Sequence, residues 1–223
     1  RITVFDTQGN LLDKWGEPGD GDGQLCRPSG ITLDAEGNLL VVDTCNHRIQ
    51  KFTTHGRFLS RWGGFGGSVG QFNMPWGVAV NADDEVYVTD WRNDRVQKFN
   101  AQGEFLLQWG SYGTGEGEFN HPAGIAVDGS GWVYVVDWHN DRVQVFDPKG
   151  KLLTKLLGDA TLSTWGEEQL ASYPIYTQER KVAKDLHIEK LLCRPRGIKV
   201  DGQGRVFVVD CAKGRIQVYH KAG

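Results

Sequence analysis

Three segments of this chain superimpose without a gap, and no other feature limits its possible folds as strongly. They are PSGITLDAEGNLLVVDTCNHRIQKFTTHGRFLSRWG from Pro28, PWGVAVNADDEVYVTDWRNDRVQKFNAQGEFLLQWG from Pro75, and PAGIAVDGSGWVYVVDWHNDRVQVFDPKGKLLTKLLG from Pro122. The third runs one residue longer before its closing glycine. A shorter copy, PRGIKVDGQGRVFVVDCAKGRIQVYHKAG, begins at Pro195, and RITVFDTQGNLLDKWG at the start matches only the second half of a unit. The first two steps are 47 residues each, whereas Pro122 to Pro195 is 73, so 26 further residues separate the third and fourth copies.

Each full unit holds four short apolar runs, which in the second copy are Gly77–Val80, Val86–Asp90, Arg95–Phe99 and Phe105–Trp109. Runs this short, rich in Val, Ile, Phe and Tyr and lacking a 3.6-residue period, are strands. Gly, Asp and Asn lie between them, as in Asp34-Ala35-Glu36-Gly37-Asn38, and supply hairpin corners. Four antiparallel strands recurring at this spacing describe the blade of a β-propeller.

The blocks P-x-G-I-x-V-D, V-Y-V-x-D, D-x-x-N-x-R-[IV]-Q-x-F and G-x-F-L-x-x-W-G resemble NHL repeats. Asn46-His47-Arg48, Asn93-Asp94-Arg95 and Asn140-Asp141-Arg142 stand where the segment that names the family falls. The resemblance covers nearly the whole chain except about 159–194. It implies a six-bladed ring and a role in protein or RNA recognition.

The expected architecture is all-β: a half-blade at 1–16, blades at 28–63, 75–110 and 122–158, an insertion at 159–194, and a partial blade at 195–223. These make a single domain of seventeen strands, too few for six blades, so an incomplete arc is expected ahead of any closed form. An unusual four-bladed closure would instead pair the C-terminal strands with Leu11–Trp15. An open arc would leave sheet edges that favour self-association. Within the insertion, Thr164-Trp165-Gly166-Glu167 has capping-box spacing, and Gln178–Leu192 reads as a second helix. The insertion is expected to pack over one propeller face, or alternatively to act as a lid.

In a propeller, the loops linking strand 4 to strand 1 and strand 2 to strand 3 share one face. Residues that recur identically in them are read as structural: Asp43, Asp90, Asp137 and Asp210, each followed five positions later by Arg48, Arg95, Arg142 and Arg215. Residues that vary inside this constant frame are candidates for binding: Trp76, Trp91, Arg92, His121, Trp138, His139 and Arg196. Indoles beside Arg and His make a surface for sugars, peptide side chains or bases. The competing reading packs Trp91 and Trp138 between blades. Trp15, Trp62 and Trp109 end their fourth strands alike and are read as blade-packing residues.

No nucleophile elbow, phosphate-binding glycine loop or His-Glu-x-x-His is present. If His47, His121 and His139 met they could hold Zn, and a Zn or Ca ion is the low-ranked cofactor alternative to none. That arrangement would be similar to the metal-using amidating lyase that shares this kind of propeller, yet these histidines occupy different repeat registers. Cys26 and Cys193 each precede a blade-start proline by two residues, and Cys45 and Cys211 lie in the following loops of the same blades. In-blade disulfides Cys26/Cys45 and Cys193/Cys211 are open, with four free thiols in a reducing cytosol ranked ahead.

No apolar run approaches 18 residues, and the chain opens on Arg1-Ile2-Thr3-Val4-Phe5 without a basic or apolar leader. The expectation is a soluble protein, cytoplasmic by slight preference and of bacterial type. A net charge of −3 argues against a broadly electrostatic nucleic-acid binder. A non-enzymatic scaffold binding a protein, peptide or glycan is therefore ranked first. A metal-dependent lyase or lactone hydrolase comes next, then an RNA-binding domain using Arg92, Arg194, Arg196 and Lys213.

Overall fold

A computed structural model describes residues 1–159, 168, 171–173, 175, 178 and 187–221. Five antiparallel sheets follow one another along the chain. The first pairs β1 (Ile2–Phe5) with β2 (Leu11–Trp15). The next three are four-stranded blades: β3 (Pro28–Leu33), β4 (Leu39–Asp43), β5 (Arg48–Phe52) and β6 (Phe58–Gly63); β7 (Pro75–Val80), β8 (Val86–Asp90), β9 (Arg95–Phe99) and β10 (Phe105–Trp109); β11 (Pro122–Val127), β12 (Val133–Asp137), β13 (Arg142–Phe146) and β14 (Leu152–Leu156). The last sheet has β15 (Pro195–Val200), β16 (Arg205–Asp210) and β17 (Arg215–His220), preceded by a single helical turn, α1 (His187–Lys190).

The sheets stack face to face, so the apolar cores lie between blades. Leu40, Val42 and Ile49 of one blade meet Phe72, Val78, Val86, Val88 and Phe99 of the next. Tyr87 and Val96 then turn the other way, onto Phe119, Ile125, Val133, Val135 and Phe146. Because each middle strand is covered on both faces, β8, β9, β12 and β13 are buried throughout, and their near-continuous apolar runs reflect that. The outermost β10 alternates between half-buried and exposed positions.

Two kinds of glycine set the spacing. The innermost strands β3, β7, β11 and β15 line one axial groove and pack in sequence. A Cβ on Gly77 would lie 2.6 Å from the Ala123 carbonyl oxygen of the neighbouring inner strand, which explains the glycine of the P-x-G block. At the outer hairpin, Gly103 has φ +84° and its Cβ would enter the Trp62 ring of the preceding blade. Trp62 lies 6.1 Å from Phe99 and Trp109 lies 5.7 Å from Phe146, so the fourth-strand tryptophans pack the blade that follows, as the sequence predicts.

β3 and β15, at the two ends of this row, belong to separate sheets, and β17 does not pair with β1 or β2. The four-bladed closure is not formed, and the described sheets make an open arc. Ile216 (62% exposed) and Leu12 (64%) mark uncovered apolar positions at its two ends. The capping box at Thr164–Glu167 lies outside the described residues. Of the helix expected over Gln178–Leu192, Gln178 and His187–Lys190 are described as helical; the residues between them lie outside the description. No helix among the described residues is long and apolar enough to cross a membrane.

Candidate ligand-binding face

The loop face rests on a buried polar frame repeated at each blade. In the second blade, Arg95 Nε donates to Asp90 Oδ2 at 2.9 Å, and the same contact measures 2.8 Å at Arg48–Asp43, 2.7 Å at Arg142–Asp137 and 2.7 Å at Arg215–Asp210. The guanidinium also donates to the carbonyls of Gly67, Ser68 and Gln71, in the loop arriving from the previous blade. Gln97 adds a bond to the Gln71 carbonyl and receives one from Gly70 N–H. Burial pushes the Asp90 and Asp137 carboxyls above their ordinary pKa, against the hydrogen bonds that pull them down. The frame therefore ties each blade to the loop entering it. The buried glutamines Gln50, Gln97, Gln144 and Gln217 belong to it, a role visible in sequence only as the recurring R-[IV]-Q triplet.

A second tie crosses between blades. His47, Asp94 and Asp141 occupy the left-handed region (φ 55°, 50° and 52°), and so do Met74, His121 and Arg194, each just before a blade-start proline. The side chains of the first set accept the backbone N–H of the second: Met74 to His47 Nδ1 at 2.9 Å, His121 to Asp94 at 2.7 Å, and Arg194 to Asp141 at 2.6 Å. His47 must be neutral at Nδ1 to accept. Burial, with Arg92 contributing, lowers its pKa below 6.5 despite the opposing charge of Asp90.

On this frame the variable residues converge. Trp76 is the second residue of β7, and Trp91 and Trp138 are the first residues after Asp90 and Asp137. Their ring centroids form a chain, Trp76–Trp91 at 6.0 Å and Trp91–Trp138 at 6.0 Å. Arg196 reaches from the last sheet to lie 5.9 Å from the Trp76 ring and 5.0 Å from Trp138, and Arg92 lies 5.6 Å from Trp91. His121 meets Trp91 edge-on at 4.6 Å and lies tilted against His139 at 4.8 Å, while His139 lies 4.1 Å from Trp138. Burial lowers the His121 pKa, with His139 and Arg92 adding to the effect and Asp94 opposing it. Trp76, Trp91, Trp138, Met74, Ala123, Arg27 and Arg196 enclose a cavity of about 180 Å³.

All seven variable residues singled out in the sequence thus lie in one cluster. The indoles are half-buried rather than exposed, because Trp76 and Trp138 also pack on the core between the last two sheets. Arg27 and Met74 were missed; both precede a blade-start proline, a position that varies as much as the ones selected. The three histidines do not converge: His47 is held by Met74 N–H and stacks on Phe65 at 5.0 Å. Among the described residues no three His, Cys, Asp or Glu are placed to share a metal ion.

The NHL repeat profile matches residues 25–52, 72–99, 119–146 and 192–219, half of the chain. The chain belongs to the NHL-repeat family. Over 36 residues it is 53% identical to E3 ubiquitin-protein ligase TRIM71 of Rattus norvegicus and 50% identical to Protein lin-41 of Caenorhabditis elegans. Those stretches span 16% of this chain but only 4% and 3% of the two relatives. Among solved structures, a streptogramin B lyase superimposes with a TM-score of 0.59 at 15% identity, covering 99% of this chain and 62% of the lyase. A gluconolactonase from Xanthomonas campestris gives 0.58 at 16% identity, over 92% and 61%. At such identities the likeness is one of fold alone.

Proposed function

We propose that this NHL arc is a non-enzymatic binding module whose loop face captures a protein, peptide or glycan partner through the indole cluster. The observation that carries the reading is the row of Trp76, Trp91 and Trp138, contributed by two successive blades and bridged by Arg196 from the last sheet. Three apolar rings around a small cavity suit a flat or aliphatic group, and the arginines at the rim suit a neutral or anionic one. A cationic headgroup is disfavoured, because the guanidinium of Arg196 already lies against two of the rings.

Labelled protein probed on glycan and peptide arrays tests this directly. Trp76→Ala and Trp91→Ala are each expected to weaken capture while the fold is retained. Capture unchanged by both substitutions sinks the reading. RNA recognition is a second reading, supported by Arg27, Arg92, Arg194 and Arg196, all exposed on this side. It requires that an unstructured oligonucleotide binds with an affinity that falls steeply as salt rises.

A further inference from the structure

The backbone at the corner of each blade repeats one hydrogen-bonded pairing. The residue two before the proline accepts, at its carbonyl, the N–H of the residue two after the aspartate. These pairs are Cys26–Cys45 at 3.1 Å, Asn73–Arg92 at 3.1 Å, Asn120–His139 at 3.1 Å and Cys193–Ala212 at 3.2 Å. The first partner's own N–H is held by that aspartate: Cys26 by Asp43 at 2.6 Å, and Cys193 by Asp210 at 2.8 Å. Only the first corner places cysteine at both facing positions. In the last, Ala212 faces Cys193 and Cys211 sits one residue earlier, out of register. The two in-blade pairs that look equivalent in sequence are therefore not equivalent in space.

The Cys45 N–H to Cys26 carbonyl bond of 3.1 Å brings the two backbones into direct contact. A disulfide needs Cα atoms about 4.4–6.8 Å apart, which requires backbones as close as these. Burial, with the neighbouring Cys45 thiol adding to it, pushes the Cys26 pKa up. Both residues are half-buried, within reach of a small oxidant.

We propose that Cys26 and Cys45 form a reversible disulfide on meeting a low-molecular-weight disulfide such as oxidised glutathione, making this corner a thiol-modification site. One cysteine, as thiolate, attacks the glutathione disulfide, forming a mixed disulfide and releasing one glutathione thiolate. The second cysteine, as thiolate, attacks the protein sulfur of that mixed disulfide and expels the other glutathione. The two electrons lost by the protein reduce the oxidant, and the two thiol protons end on the glutathione released. Arg27, which borders the indole cavity, follows Cys26 directly, so the bond fixes the backbone at one wall of that cavity.

The test incubates the whole chain in buffers of rising oxidised-to-reduced glutathione ratio, quenches with iodoacetamide and maps the peptides by mass. The expected product is a single Cys26–Cys45 cross-link, reversed by dithiothreitol, with Cys193 and Cys211 alkylated or carrying glutathione. Cys193→Ser with Cys211→Ser should leave the cross-link in place, whereas Cys45→Ser should trap Cys26 as a mixed disulfide. The proposal is overturned if Cys26 and Cys45 stay separately alkylated or glutathionylated throughout the series, or if the cross-link involves Cys193 or Cys211.

Discussion

The same Asp–Arg pair stands in two different places in the second blade and in the last sheet. At Asp90–Arg95 the guanidinium is 8% exposed and spans three carbonyls of the arriving loop, plus the Gln108 side chain. At Asp210–Arg215 the geometry is as short, yet the arginine is 27% exposed and, among the described residues, reaches the carbonyls of Lys190 and Leu191 alone. The aspartate is fully buried in both. The repeat thus encodes the pair, while its energetic weight comes from what covers it: a loop and a neighbouring blade in one case, solvent on one side in the other.

The largest effect is expected where that cover is complete. Arg95→Met should lower the unfolding free energy by about 3–5 kcal/mol, because it strands a buried carboxylate and releases the loop carbonyls. Arg215→Met should cost clearly less, about 1–3 kcal/mol. Urea unfolding of the two variants side by side measures the gap, and equal losses would show that burial does not set the weight of the pair.

Next comes the hairpin glycine. Gly103→Ala places a side chain at φ +84° and into the Trp62 ring, for a loss of roughly 1–3 kcal/mol. Gly129→Ala, at a position with open space and no left-handed backbone, serves as the control and should change stability by less than about 0.5 kcal/mol.

At the rim, the balance moves from stability to binding. Trp91→Ala should weaken capture of an array-selected ligand by about 1–3 kcal/mol, read by calorimetry. Its melting temperature should fall by less than that of Arg95→Met. A collapse of stability to the level of Arg95→Met would assign the indole to the core instead.

The smallest effect is on the pH profile. His47 and His121 have folded pKa values below the ordinary 6.5, so the unfolded chain binds more protons as the solution is acidified. Their contribution is complete above pH 6.5 and is lost as pH falls from there through the lowered folded values. Asp34, Glu85 and Asp128 are partly buried but held down by Lys51, Lys98 and Lys221, and their contribution is lost only below the ordinary carboxylate range. The histidine stage should therefore be a plain decline on acidification, while in the carboxylate range the raised Asp90 and Asp137 oppose the loss from Asp34, Glu85 and Asp128. His47→Asn should reduce the histidine stage, leaving the His121 part, and should not change the carboxylate range, as followed by thermal melts across pH.

Strand number, strand limits and the order of blades were legible because each depends on local pattern: a Val-, Ile- and Phe-rich run, an Asp or Gly corner, a fixed 47-residue step. The one boundary that moved was β7, which starts at Pro75 rather than Gly77. Its alternation is hidden because both faces are covered. The binding face was legible to the extent that variable positions stand out against a constant frame. Arg27 and Met74 escaped although His121, at the same left-handed place before a blade-start proline, was selected, because which of these residues lines the cavity depends on how the blades face one another.

The sequence by itself determined that the chain builds propeller blades, which residues tie them and which positions are free to vary. Periodicity and invariant polar pairs are properties of one unit read against the next. Only the tertiary structure decided that three indoles and Arg196 enclose a cavity, that His47 stands apart from His121 and His139, and that Cys26 faces Cys45 while Cys193 faces Ala212. Those relations join loops from different strands and blades. A one-residue offset along the chain, invisible as chemistry, moves a side chain to another neighbour in space.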